Sequence, residues 1–154
     1  MKSLERSSEA IPRWIIVAFS IISLIGFADA AYLTANHYLG TSLNCSLFEG
    51  CEVVTTSVYA TVAGVPIALV GALYYLLIFV ATIAYFDTGN LRIMRFAAYF
   101  TVLGFLASLW LLYLQLFVIE ALCMYCLLSL VTSTILFLLG LLVIKSCFSE
   151  VRPP

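Results

Sequence analysis

The sequence predicts an all-α integral membrane protein: a bundle of four transmembrane helices, with an external loop and short helix between spans 1 and 2. Three observations carry this prediction. The 154-residue chain is 64% hydrophobic and only 10% charged, against roughly a quarter charged residues in a soluble globular domain. Its apolar residues fall into four long runs, each long enough to cross the hydrocarbon of a bilayer. All the basic residues lie in the N-terminal tail, in the turn between the second and third runs, or in the C-terminal tail.

Residues 1–13 are polar and mixed in charge, and are expected to form a cytoplasmic tail ahead of a membrane domain over 14–148 and a second tail over 149–154. The first span is predicted over 14–38. At 1.5 Å per residue its length is roughly 37 Å, enough to cross with some tilt. Arg13, the apolar stretch that follows and Ala28-Asp29-Ala30 imitate a signal peptide with a small-residue cleavage site. Ala31-Tyr32-Leu33 nevertheless extends the helix beyond it.

The loop over 39–65 contains Gly40, Asn44, Cys45, Glu49, Gly50, Cys51 and Glu52. It is too polar to be immersed in lipid, and a short surface helix is expected within 49–59. Gly64-Val65-Pro66 opens the second span, 66–86, since proline is tolerated in a first helical turn. A turn at Asp87-Thr88-Gly89-Asn90 leads to the third span, 93–119, and Glu120 and its neighbours separate this from the fourth, 121–147. The last two spans should form a tight hairpin.

Charge sets the topology. Lys2, Arg6, Arg13, Arg92, Arg95, Lys145 and Arg152 mark one side, whereas the other two connections hold only Glu49, Glu52 and Glu120. The positive-inside rule then puts both termini in the cytoplasm. The cell membrane is the expected location, with two cysteine pairs at the external, disulfide-permissive face. There is no basic patch to suggest nucleic acid.

The chemistry-bearing residues are those cysteines. Cys123 and Cys126 form a Cys-x-x-Cys at the start of the fourth span. On a helix, positions i and i+3 share a face, and the positive end of the macrodipole favours thiolate. Cys45 and Cys51 are separated by five residues including Gly50, a loop able to close into a disulfide. Read alone, this pair is either a structural staple or a mobile shuttle. A second dithiol on the same face favours the shuttle. A four-cysteine zinc site fits poorly, because such sites use short spacings in a compact knuckle. No metal is expected, and Cys147 is left over at the cytoplasmic end.

Several other residues stand out. Asp29 is a carboxyl group inside an apolar span, where ionisable residues tend to be functional; it reads as a proton-handling group or as one paired near the interface. His37 is the lone histidine, at the outer interface. Tyr32, Tyr38, Tyr59, Tyr113 and Tyr125 cluster at outer boundaries, as an aromatic belt does. Gly64, Gly71 and Gly104 are expected to permit close helix packing.

The stretch from Asn44-Cys45 through Glu49-Gly50-Cys51-Glu52 to Ser57-Val58-Tyr59-Ala60, then Gly64-Val65-Pro66 and Cys123-Met124-Tyr125-Cys126, resembles the vitamin K epoxide reductase family, in its bacterial and archaeal form. Tyr32-Leu33-Thr34 matches the same pattern. The resemblance implies a four-helix bundle surrounding a quinone, ubiquinone, menaquinone or similar. It implies that Cys126 is the thiol beside the quinone ring and that Cys123 exchanges with the loop. Cys51 would pair with Cys123 in the relay, and Cys45 would meet the external partner. Ser57 would support the quinone pocket, with Tyr59, Pro66 and Tyr125 as further quinone-contacting candidates.

The implied activity is that of a quinone-dependent thiol oxidoreductase generating disulfides. Electrons would pass from an external thioredoxin-like (DsbA-like) partner through Cys45/Cys51 to Cys123/Cys126, and then to quinone. Many bacterial relatives fuse a thioredoxin-like domain; here a separate protein is expected in that role. Animal relatives place asparagine and tyrosine where this chain has Ile67 and Leu130, so epoxide reduction is not expected. Two alternatives stand beside this reading. A DsbB-type enzyme carries its Cys-x-x-Cys in the first external loop, so the order of pairs argues against it. A thiolate metal-binding or transport membrane protein would bind metal stoichiometrically.

Overall fold

A computed structural model describes residues 11–40 and 50–151. Most of the expected N-terminal tail, loop residues 41–49 with Cys45, and residues 152–154 lie outside the described residues. In chain order the elements are α1 (Arg13–Leu39), α2 (Cys51–Thr56), a 3-10 turn (Val58–Ala60), β1 (Thr61–Val62), β2 (Val65–Pro66), α3 (Ile67–Thr88), α4 (Leu91–Phe117) and α5 (Met124–Val151). The protein is an all-α membrane bundle: α1, α3, α4 and α5 are each long and apolar enough to cross a bilayer. Large apolar side chains such as Trp14, Phe86, Leu103 and Trp110 are more than half exposed. Lipid is the solvent that suits such a surface.

Local chemistry ends each helix where lipid would give way to water. Gly40 and Gly89 terminate α1 and α3 in the left-handed conformation, with φ of 62° and 64°, the usual conformation of a glycine that ends a helix. Immediately afterwards Asn90 caps α4, its side chain accepting from the Arg92 N–H at 3.1 Å. The four long helices form a ring in which α1 packs on α3 and α5, and α4 on α5 and α3. The α3–α4 seam is the loosest of the four. Phe19, Ile78, Met94, Leu136 and Val143 fill the centre.

Several polar groups inside the bundle find partners within it. Ser23, Thr34 and Thr82 donate to carbonyls four residues back. Tyr75 ties α3 to α5, its hydroxyl lying 2.8 Å from Thr132 Oγ1 and 2.9 Å from the Ser129 carbonyl. Ser133 donates to Ser108 at 2.8 Å, joining α5 to α4.

Three local features differ from the sequence expectation. Gly64 does not pack helices: it has open space around it and, with Ala63, turns the β1–β2 hairpin at φ of 80° and 52°. Two consecutive residues at positive φ give the backbone twist that a two-residue hairpin requires. Pro66 ends β2 and caps α3 rather than lying in its first turn. The fourth helix begins at Met124 rather than at 121, because residues 118–123 form the connection that presents the cysteines. Gly104 does sit at a close contact, with Tyr74, whereas a Cβ on Gly71 would meet Ala30 only at an ordinary van der Waals distance of 3.7 Å.

Candidate active site

Cys123 is not on a helix. It precedes Met124 and its carbonyl accepts the Leu127 N–H at 3.0 Å, the first bond of α5. That makes it the N-cap residue, whose side chain is placed to accept from the second and third helical N–H groups. The Cys123 sulfur accordingly takes hydrogen bonds from the Cys126 thiol and from the backbone N–H groups of Cys126 and Tyr125. The thiol donor leads, and the N–H groups of the helix start assist. Against the opposing effect of burial, together they bring the Cys123 thiol down from its ordinary 9.0 to about 7.

The connection is held by Gln115, which the sequence reading passed over. Its buried side-chain oxygen accepts the Cys123 N–H at 3.0 Å, and its backbone carbonyl accepts the Ala121 N–H at 3.1 Å. Glu120, between them, takes φ of 54°, a conformation uncommon for a residue with a Cβ. A glutamine inside an apolar span was the available signal, because an amide in hydrocarbon must be paired.

The loop meets this connection directly. Cys51, Val54 and Cys123 are buried in one cluster, with Ile119, Ala121, Met124, Tyr125 and Cys126 packed around them. Cys51 is disulfide-bonded, while Cys123, Cys126 and Cys147 are free thiols. Gly50 lies so close to Leu122 that a Cβ on it would stand 2.7 Å from the Leu122 carbonyl oxygen. The expected site residue Cys45 lies outside the described residues.

Behind the cysteines is a cavity of about 460 Å³, walled by α1, the loop elements, α3, α4 and the start of α5. Its lining is mostly apolar and includes residues on both sides of the loose α3–α4 seam, among them Ile67, Leu73, Leu77, Phe100, Leu103 and Leu111. Cys126 is in this wall. Ser57, Tyr59 and Pro66 line the cavity too. Tyr125 packs on Tyr32 instead, with ring centroids 5.2 Å apart. Among the described residues no three His, Cys, Asp or Glu side chains are placed to hold a metal ion.

Comparison with known proteins decides the family. The profile of the vitamin K epoxide reductase family matches residues 17–141, which include all four long helices in whole or large part. The chain belongs to the vitamin K epoxide reductase family. No curated protein matches it. As a member of this family it is a multi-pass membrane protein and a thiol oxidoreductase. The family is generally quinone-linked, and the apolar cavity beside a free thiol has the size and chemistry to take a quinone ring.

Proposed function

We propose that this vitamin K epoxide reductase family member makes disulfides in an external thioredoxin-like protein and delivers the electrons to a membrane quinone. One observation supports this above the others: the two thiols of the Cys-x-x-Cys serve two different surroundings. Cys123 is buried against Cys51 of the loop, and Cys126, packed beside that cluster, is the one of the two that is also in the cavity wall.

The chain's own residues then divide the work. A partner's thiolate attacks Cys45 of the loop disulfide and releases Cys51. The partner's second thiol resolves the mixed disulfide, which leaves the partner with a disulfide and Cys45 and Cys51 as a dithiol. Cys51 next attacks Cys123 of an oxidised Cys123–Cys126 pair, and Cys45 resolves the mixed disulfide. Cys123 and Cys126 are now a dithiol, with the helix N-terminus favouring thiolate at Cys123. Cys126 faces the cavity, where a bound quinone accepts two electrons and two protons. Ser57, Tyr59 and Pro66 contribute wall, and the apolar lining keeps water from the exchanging sulfur.

Sidedness follows from charge. Arg13, Arg92, Arg95 and Lys145 lie toward the bundle end opposite the cysteines, so the positive-inside rule puts that end in the cytoplasm and the cysteines outside. The test is an assay in detergent or nanodiscs with a reduced thioredoxin-like dithiol and a short-chain quinone. The wild type should form quinol and partner disulfide in equal amounts. The Cys126→Ala variant should lose quinol formation while its loop disulfide still exchanges with the partner. Undiminished quinol formation by Cys126→Ala would overturn the assignment.

A further inference from the structure

Among the described residues, two side chains carry buried polar atoms with no hydrogen-bond partner: both carboxylate oxygens of Asp29 and the hydroxyl of Tyr74. Both residues line the cavity, and they come from α1 and α3, which pack together. Buried polar atoms are nearly always paired, so an orphan asks for an explanation. Two orphans around one cavity point to a ligand that supplies what they lack.

Several other polar groups of the wall are already bonded within the protein. The Gln115 oxygen holds the Cys123 N–H. Ser108 is bonded to Ser133, and the Ser57 hydroxyl donates to the Val54 carbonyl at 2.8 Å. The contrast between adjacent tyrosines is sharpest. Tyr75 is bonded to Ser129 and Thr132, whereas Tyr74 has its ring laid over Gly104, where a Cβ would collide with its hydroxyl, and has no polar partner.

We infer that Asp29 and Tyr74 are the hydrogen-bonding pair that recognises the carbonyl oxygens of a quinone in this cavity, and that Asp29 carries a proton exchanged there. This rests on the quinone-linked reading above. A tyrosine hydroxyl donates one O–H, and a carboxyl in its acid form donates from one oxygen and accepts at the other. Asp29 also lies within electrostatic reach of both Cys123 and Cys126.

The step balances. Two S–H bonds break and one S–S bond forms at Cys123 and Cys126, two electrons leave sulfur for the quinone, and two O–H bonds form. Asp29 gives its proton to one carbonyl oxygen and recovers one from the Cys126 thiol. The proton released by Cys123 is matched by one taken from solvent at the other oxygen.

The experiment measures binding of a short-chain benzoquinone and of menadione to the full-length, detergent-solubilised protein, by quenching of its intrinsic fluorescence. Asp29→Leu and Tyr74→Phe should each raise Kd by about 3- to 10-fold, as expected for losing one hydrogen bond. Thermal stability of the quinone-free protein should be unchanged or higher in Tyr74→Phe, because no existing bond is lost. Adding quinone should shift an infrared carboxyl C=O band that is absent in Asp29→Asn and retained in Asp29→Glu. Wild-type affinity in both Asp29→Leu and Tyr74→Phe, with no carboxyl band responding to quinone, overturns the inference while leaving the quinone reading intact. Failure of the wild type itself to bind either quinone overturns both.

Discussion

The backbone of Gly50 rests on that of Leu122: a Cβ at position 50 would stand 2.7 Å from the Leu122 carbonyl oxygen and 2.9 Å from its nitrogen. Each residue is the immediate chain neighbour of a cysteine of the proposed relay, Cys51 and Cys123 respectively. The approach of two backbones therefore sets the approach of two sulfurs. Gly50→Ala should push the loop outward at a cost of about 1–3 kcal/mol, slowing thiol exchange between loop and helix tip by about tenfold or more. Quinol formation by protein pre-reduced at Cys123 and Cys126 should keep its rate. Stopped-flow measurement of the two half-reactions separates these effects.

Gln115 is the second support of the helix tip. Gln115→Leu leaves the buried Cys123 N–H without its acceptor, and should destabilise the protein by about 1–3 kcal/mol. Gln115→Glu retains an acceptor oxygen and should lose less. Denaturant titration in mild detergent checks the order of the two.

The thiol of Cys123 should titrate early. Its value of about 7 lies below the ordinary 9.0, so in the reduced protein thiolate accumulates as pH rises through about 7 and disappears below it. A group depressed in the folded state stabilises above its unfolded value, and that stability is lost as pH falls through the folded value. Cys126→Ala removes the leading donor, so the thiolate absorbance of its remaining tip cysteine should shift to higher pH. An unchanged titration would mean that the thiol hydrogen bond is not the cause.

Tyr74 and Tyr75 should respond differently to loss of the hydroxyl. Tyr75→Phe loses bonds to Ser129 and Thr132 that tie α3 to α5, and should cost about 1–2 kcal/mol. Tyr74→Phe loses none. Thermal unfolding of the two variants, each without added quinone, makes the comparison.

Much of this architecture could be read from the chain, because lipid imposes long apolar runs and charge marks their ends. Four spans, and the gathering of Cys51 with Cys123 and Cys126 at one end of the bundle, follow from that patterning. What escaped was set by tertiary approach rather than period. Cys123 is a cap rather than a helical residue, since Gln115, eight positions upstream, fixes the connection before α5 starts. Gly64 looked like a packing glycine, yet its positive φ serves a hairpin too short to show alternation. Gly50 carries no periodic signal at all. Its role exists only when Leu122 lies against it. Tyr74 and Tyr75 are indistinguishable in sequence, and only their partners separate them.

In the proposed relay the loop couple and the helix-tip couple exchange with one another through Cys51 and Cys123. The most direct measurement uses the Cys45→Ala, Cys126→Ala double variant, which leaves Cys51 and Cys123 with no resolving thiol. After mild oxidation, proteolysis and mass spectrometry should recover residue 51 linked to residue 123 in most of the protein. Recovery of both as unlinked thiols, in protein whose fold is intact by circular dichroism, would contradict the relay.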